Sequence, residues 1–171
     1  MRSVVMLWLS SLAVLAAGAL AVCPDGRCGI GGFDRTGLGL AHALRSGWLD
    51  AMMQGITWFG SLILLLPLTA AVAWLLVRSR RRREAGFLLL ALLGSSALSH
   101  VFKLWVARPR PDLFPTWLDM PGDWSFPSAH AMQATAVALA WLLVARHARE
   151  FWALLLGLAV LLVGLSRIYL Q

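Results

Sequence analysis

The apolar run that ends in HVFKLWVARPRPDLF gathers Lys103, Arg108 and Arg110 within eight residues, and Lys103 is the single lysine of the chain. Cations at a helix end either snorkel to lipid headgroups or collect an anion. A second stretch, DWSFPSAHAMQ from Asp123 to Gln133, sets Pro127 in what reads as a first helical turn. A proline costs nothing there, and the amides beyond it, with the Ser128 hydroxyl, form an anion site at the positive end of the helix dipole. His130, in the same turn, can pass a proton. A third stretch, GLSRIYLQ, sets Arg167 and Tyr169 at the end of the last apolar run. Taken singly these are snorkelling cations, an N-cap serine, an interfacial histidine and an aromatic-belt tyrosine. Taken together, Lys103, Arg110, Ser128 and Arg167 could hold one phosphate, because arginine forks match its oxygens two at a time.

Bringing those groups together is a task for membrane helices. Of 171 residues 60% are hydrophobic and 13% charged, whereas a soluble domain carries roughly a quarter charged residues. The net charge of +7 lies in short clusters between apolar runs, a pattern of membrane topology that gives no basic groove for nucleic acid. Five runs of spanning character follow: Val4–Val22, Ile56–Val77, Phe87–Val106, Ala129–Ala145 and Phe151–Leu165. The first could be a cleaved signal peptide and is favoured as a retained helix. The expected fold is all-α, a polytopic transmembrane bundle forming one membrane domain over residues 1–171. Its core covers about 56–171; residues 1–55 supply the first span and an outer connector.

In that connector Leu40, Leu44, Trp48 and Met52 recur every four residues, with His42, Arg45 and Asp50 elsewhere around the turn. The spacing predicts a helix, either lying in the interface or packed on the bundle. Cys23 and Cys28 flank PDGR and form either a disulfide or two thiols; with no further ligand nearby, no metal site is expected. Arg2, Arg78, Arg80 to Arg83, Arg146 and Arg149 face only Glu84 and Glu150, while the other segments nearly balance. The positive-inside rule puts the basic side in the cytoplasm and residues 23–54 and 107–126 outside.

The order and spacing of these stretches resemble the type 2 phosphatidic acid phosphatase (PAP2) family. Lys103, six residues, then Arg110-Pro111 resembles its first signature, Lys-x6-Arg-Pro. PSAH, Pro127–His130, is similar to its second, Pro-Ser-Gly-His, and SRIYL, Ser166–Leu170, to the start of its third, Ser-Arg-x5-His. Ala129 stands where the family has glycine, which leaves the backbone N–H in place. The third-signature histidine falls two positions beyond Gln171, and the family's last span lies beyond it as well.

The resemblance implies a PAP2/haloperoxidase-like core with its site facing the periplasm or outside, and the spans with their positive-inside pattern suggest a multi-pass protein of a bacterial inner membrane. It implies hydrolysis of a lipid phosphate or polyprenyl diphosphate through a phospho-histidine, with no metal and no cofactor. Lys103, Arg110 and Arg167 would bind the phosphate, Ser128 and the Ala129 amide would hydrogen-bond its oxygens, and His130 would act as general acid. Arg108 and His100 have no position in the signatures; His100 reads as packing or support one turn before Lys103. Residues 1–171 by themselves are expected to lack the nucleophile. A non-catalytic remnant that binds phosphorylated lipid is therefore the alternative. The expected partners are the bilayer and a lipid phosphate; oligomeric state has no signature in the sequence.

Overall fold

An apolar segment with no water to solvate its backbone must close its hydrogen bonds within itself, which makes it a helix. The computed structural model describes residues 2–26, 28–114, 122–145 and 147–170. Among them run α1 (Arg2–Val22), α2 (Gly32–Ala43), α3 (Gly47–Thr57), α4 (Leu62–Arg78), α5 (Arg82–Val106), α6 (Ala129–Val144) and α7 (Arg149–Tyr169). Single 3-10 turns cover Pro24–Gly26 and Trp58–Gly60, and the described residues contain no strand. The all-α expectation holds. Part of the expected outer loop, residues 115–121, and Arg146 of the basic side lie outside the described residues.

All five apolar runs are helical, but their limits move. The run expected from Ile56 does not continue into α4. Ile56 and Thr57 close α3, a turn follows, and α4 starts at Ser61, whose extended backbone and hydroxyl, 3.3 Å from the Ile63 N–H, cap it. The two pieces, Gly47–Gly60 and Leu62–Arg78, meet at a 45° bend. By length and composition, α5 and α7 can each cross a membrane among the described residues, and the bent pair can serve as one more span. α6, at 16 residues, and the Ser11–Val22 part of α1 are shorter apolar helices. The expectation of five spans is not confirmed: the runs are helical, but among the described residues two helices, or three with the bent pair, are long enough to cross.

The interfacial-helix expectation needs a correction. Its stripe is split between α2 and α3, because the chain turns at Leu44 and Ser46 is extended (φ −157°, ψ 149°). Leu40, Leu44, Trp48 and Met52 are all exposed, whereas Leu38 and Ala41 on α2 are buried.

α5 packs against both α4 and α6, α6 packs on α7, and α2 and α3 lie on α7. Alanines make much of the core, Ala73, Ala85, Ala134, Ala138 and Ala140 among them, around Leu88, Leu92 and Val163. Small residues let helices approach closely, which is how helices associate where lipid competes for every apolar side chain. Most apolar side chains of α5 and α7 face outward, with 22% and 11% of their hydrophobic windows buried. At one end of the bundle Arg81 donates to the Val144 carbonyl at 2.7 Å, tying the α4–α5 turn to the end of α6. The other end carries the last turn of α5, the first of α6 and the last of α7.

Candidate active site

α5 stops where Ala107 takes a left-handed conformation (φ 47°) and its N–H closes onto the Lys103 carbonyl at 2.9 Å. Lys103 is thereby held in the last turn while the chain leaves through Arg108-Pro109-Arg110-Pro111. That arm is stitched to the one leading into α6. The Ser125 N–H donates to the Arg108 carbonyl at 2.8 Å, and its hydroxyl reaches the carbonyls of Arg108 (3.2 Å) and Pro109 (3.0 Å).

Arg108, 7% exposed, donates to Asp34 Oδ2 at 2.6 Å, and the same carboxylate oxygen accepts the Gly31 N–H at 2.8 Å. Burial pushes the Asp34 carboxyl up, but the hydrogen bonds from Arg108 and Gly31 outweigh it and hold it below the ordinary value of 3.8. The cation without a signature position therefore pins the arm between α5 and α6 to α2.

Arg110 Nη2 donates to Asp123 Oδ1 at 2.6 Å, and its Nε to the Asp123 carbonyl at 3.3 Å. Lys103 Nζ donates to the other carboxylate oxygen, Oδ2. One carboxylate thus bridges both cations of the first signature. Burial again raises the Asp123 carboxyl, and Lys103 and Arg110 together bring it below its ordinary value.

Ser128 is extended and accepts the Ala131 N–H at 3.4 Å, the N-cap arrangement. As at any helix start, the first amides of α6 lack intrahelical acceptors. His130, in that turn, packs its backbone against Gly60: a Cβ on Gly60 would lie 2.9 Å from both the His130 carbonyl oxygen and its Cβ. From α7, Arg167 Nη1 donates to Thr57 Oγ1 at 3.2 Å. Lys103 and Arg110 therefore meet on one carboxylate, while Arg167 is held on Thr57.

Beside them a cavity of about 520 Å³ opens between α5 and α6, lined by Lys103, Asp123, Ala129, His100, Ser96 and Gln133, among others. Gln133 donates to Ser96 Oγ at 3.1 Å across it. His100 shares the Lys103 face, as its spacing of one turn predicts. Tyr169 departs from the aromatic-belt expectation. It is buried, with its hydroxyl donating to Asp50 Oδ1 at 2.6 Å, and so locks the end of α7 onto α3. Asp123, Asp34, Thr57 and Gly60 carried no expectation. Cys23 and Cys28 are bonded to each other, which decides between the two readings of that pair. Among the described residues no group of three His, Cys, Asp or Glu side chains is gathered to hold a metal.

Comparison with known proteins gives the family. Residues 84–171 match the family model of the PAP2 superfamily. The chain is 35% identical over 139 residues to phosphatidylglycerophosphatase B of Bacillus subtilis (strain 168), a match covering 76% of this chain and 66% of that relative's length. The fold is similar to the crystal structure of a transmembrane PAP2 type phosphatidylglycerolphosphate phosphatase from Bacillus subtilis. There the TM-score is 0.81 at 28% identity, over 95% of this chain and 82% of the other.

Proposed function

The chain belongs to the PAP2 superfamily, and on that premise we propose that it serves a membrane phosphatase reaction on a lipid phosphate. The observation that carries this reading is the bridging of Lys103 and Arg110 by one carboxylate. A site that holds one oxyanion this way has the charge and the donors for another. In the proposed reaction Lys103, Arg110 and Arg167 bind the phosphoryl oxygens and balance the charge that spreads over them in the transition state. Ser128 and the Ala129 amide add hydrogen bonds at the positive end of α6, and His130 protonates the leaving alcohol or phosphate. No metal or cofactor takes part. The catalytic core is the segment from about residue 56 onward, with residues 1–55 as an appended span and connector.

The relatives' names favour a phosphomonoester on a glycerolipid over a polyprenyl diphosphate. The protein is a membrane protein; a bacterial inner membrane, with the site on the periplasmic face, fits the arginine distribution. Of the chain's four histidines only His130 sits in the cradle itself, and the third-signature position lies past Gln171. A binder of phosphorylated lipid is the second reading.

Phosphate release from phosphatidic acid in the presence of EDTA, by the protein made from its complete reading frame, tests the enzyme. A strict metal requirement overturns the mechanism. Retention of phosphatidic acid by residues 1–171, compared with Arg110→Ala, tests the cradle; equal retention dismisses it.

A further inference from the structure

The cradle faces a problem of selectivity. A bilayer surrounds it with phosphodiester headgroups, each carrying one negative charge, and three cations at a helix end would collect them. Asp123 occupies that position already. Its carboxylate gives one oxygen to Lys103 and the other to Arg110, and being tethered it competes at high effective concentration. Lys103 and Arg110 are largely enclosed, 12% and 24% exposed, while Asp123 is 44% exposed. The cations are thus fixed, and the anion is the part free to swing out.

We propose that Asp123 is a specificity-determining residue, occupying the oxyanion position so that a phosphomonoester displaces it and a phosphodiester does not. The inference rests on the phosphate-cradle reading above. Exchanging the carboxylate for a diester replaces one single charge by another and gains nothing. A monoester carries about −1.5 to −2 at neutral pH and three free oxygens. Asp123 supplies two oxygens, for Lys103 and Arg110. Arg167 meanwhile is parked on Thr57, so a third oxygen has a further fork to recruit, and only the monoester brings one.

The test is binding of dihexanoyl phosphatidic acid and dihexanoyl phosphatidylglycerol to the full chain in phosphatidylcholine nanodiscs, followed by calorimetry. Wild type should prefer the monoester by about tenfold or more, a difference on the scale of one charge-assisted hydrogen bond. Asp123→Asn should bind both ligands more tightly, with the diester gaining most, so that the preference narrows by about tenfold. Asp123→Glu should keep it. Asp123→Ala is measured alongside, so that a folding failure of either variant leaves the other to decide. An unchanged preference in folded Asp123→Asn or Asp123→Ala, or loss of the monoester with the diester, overturns the inference. Arg110→Ala separates the two claims. If it binds phosphatidic acid like wild type, the cradle itself is wrong; if it loses the ligand while Asp123→Asn keeps the wild-type preference, only the role of Asp123 falls.

Discussion

Arg108 and Asp34, 74 residues apart in the chain, meet at 2.6 Å and join the arm between α5 and α6 to the first turn of α2. The arm holds Arg110 and, through Ser125, the approach to Ser128. Removing one partner leaves a mostly enclosed charge without its counterion. Arg108→Ala should lower stability by about 2 kcal/mol, the size of a hydrogen bond between charged groups. Thermal unfolding in detergent measures it. Arg108→Lys should recover only part, since an ammonium cannot reproduce the guanidinium fork. A melting curve identical to wild type for Arg108→Ala would remove the clamp from this account.

The same pair sets an acid limit. The Asp34 carboxyl is held below 3.8 in the folded protein. A depressed folded pKa contributes stability above the unfolded value, and that contribution disappears as pH falls through the folded one. The melting temperature should therefore be level from neutral pH down to about pH 5 and fall below about pH 4. Asp34→Asn, which lacks the titrating group, should start lower and show a shallower acid limb. Parallel limbs for the two proteins would mean that other carboxylates carry the acid response.

The helices were legible in the sequence because an apolar run in lipid has one way to satisfy its backbone, and Lys103 and Arg110 stood out by their spacing and meet on one carboxylate. What stayed hidden lies between segments. Asp123 is one of three aspartates between α5 and α6, and its partners stand 13 and 20 residues away with no periodicity to single it out. Arg108 had no position in the signatures, and nothing in the sequence pointed to Asp34, 74 residues away, as its partner. The start of α4 was hidden too. Ile56 to Gly60 reads as the opening of a span, whereas α3 ends at Thr57 and Gly60 packs closely against His130, 70 positions later. Tyr169 leaves the aromatic belt, since Asp50 on α3 takes its hydroxyl.

Gly60 is where that contact can be tested. An added methyl would sit 2.7 Å from Val163 Cγ1 and 2.9 Å from the His130 backbone oxygen, and a backbone atom cannot swing aside. Gly60→Ala should cost about 1–3 kcal/mol, as overpacking does. It should also shift the first turn of α6, weakening phosphatidic acid binding more than a surface change of equal destabilisation. Gly55, where an added methyl would meet nothing within 4 Å, is the control: Gly55→Ala should leave binding intact. Equal binding by both variants would show that His130 tolerates the displacement.

The side of the membrane that holds Lys103 can be tested at the Cys23–Cys28 disulfide. The Cys28 sulfur lies 3.6 Å from the Val106 carbonyl, at the end of α5 that carries Lys103. A disulfide persists in an oxidising compartment, and the arginine-rich turn at Ser79 sits at the opposite end of α4 and α5. In sealed cells, after reduction, a membrane-impermeant maleimide should label Cys23 and Cys28. With both replaced by serine, Ser79→Cys should be labelled only once the membrane is permeabilised. Labelling of Ser79→Cys in sealed cells would reverse the orientation and put the cradle in the cytoplasm.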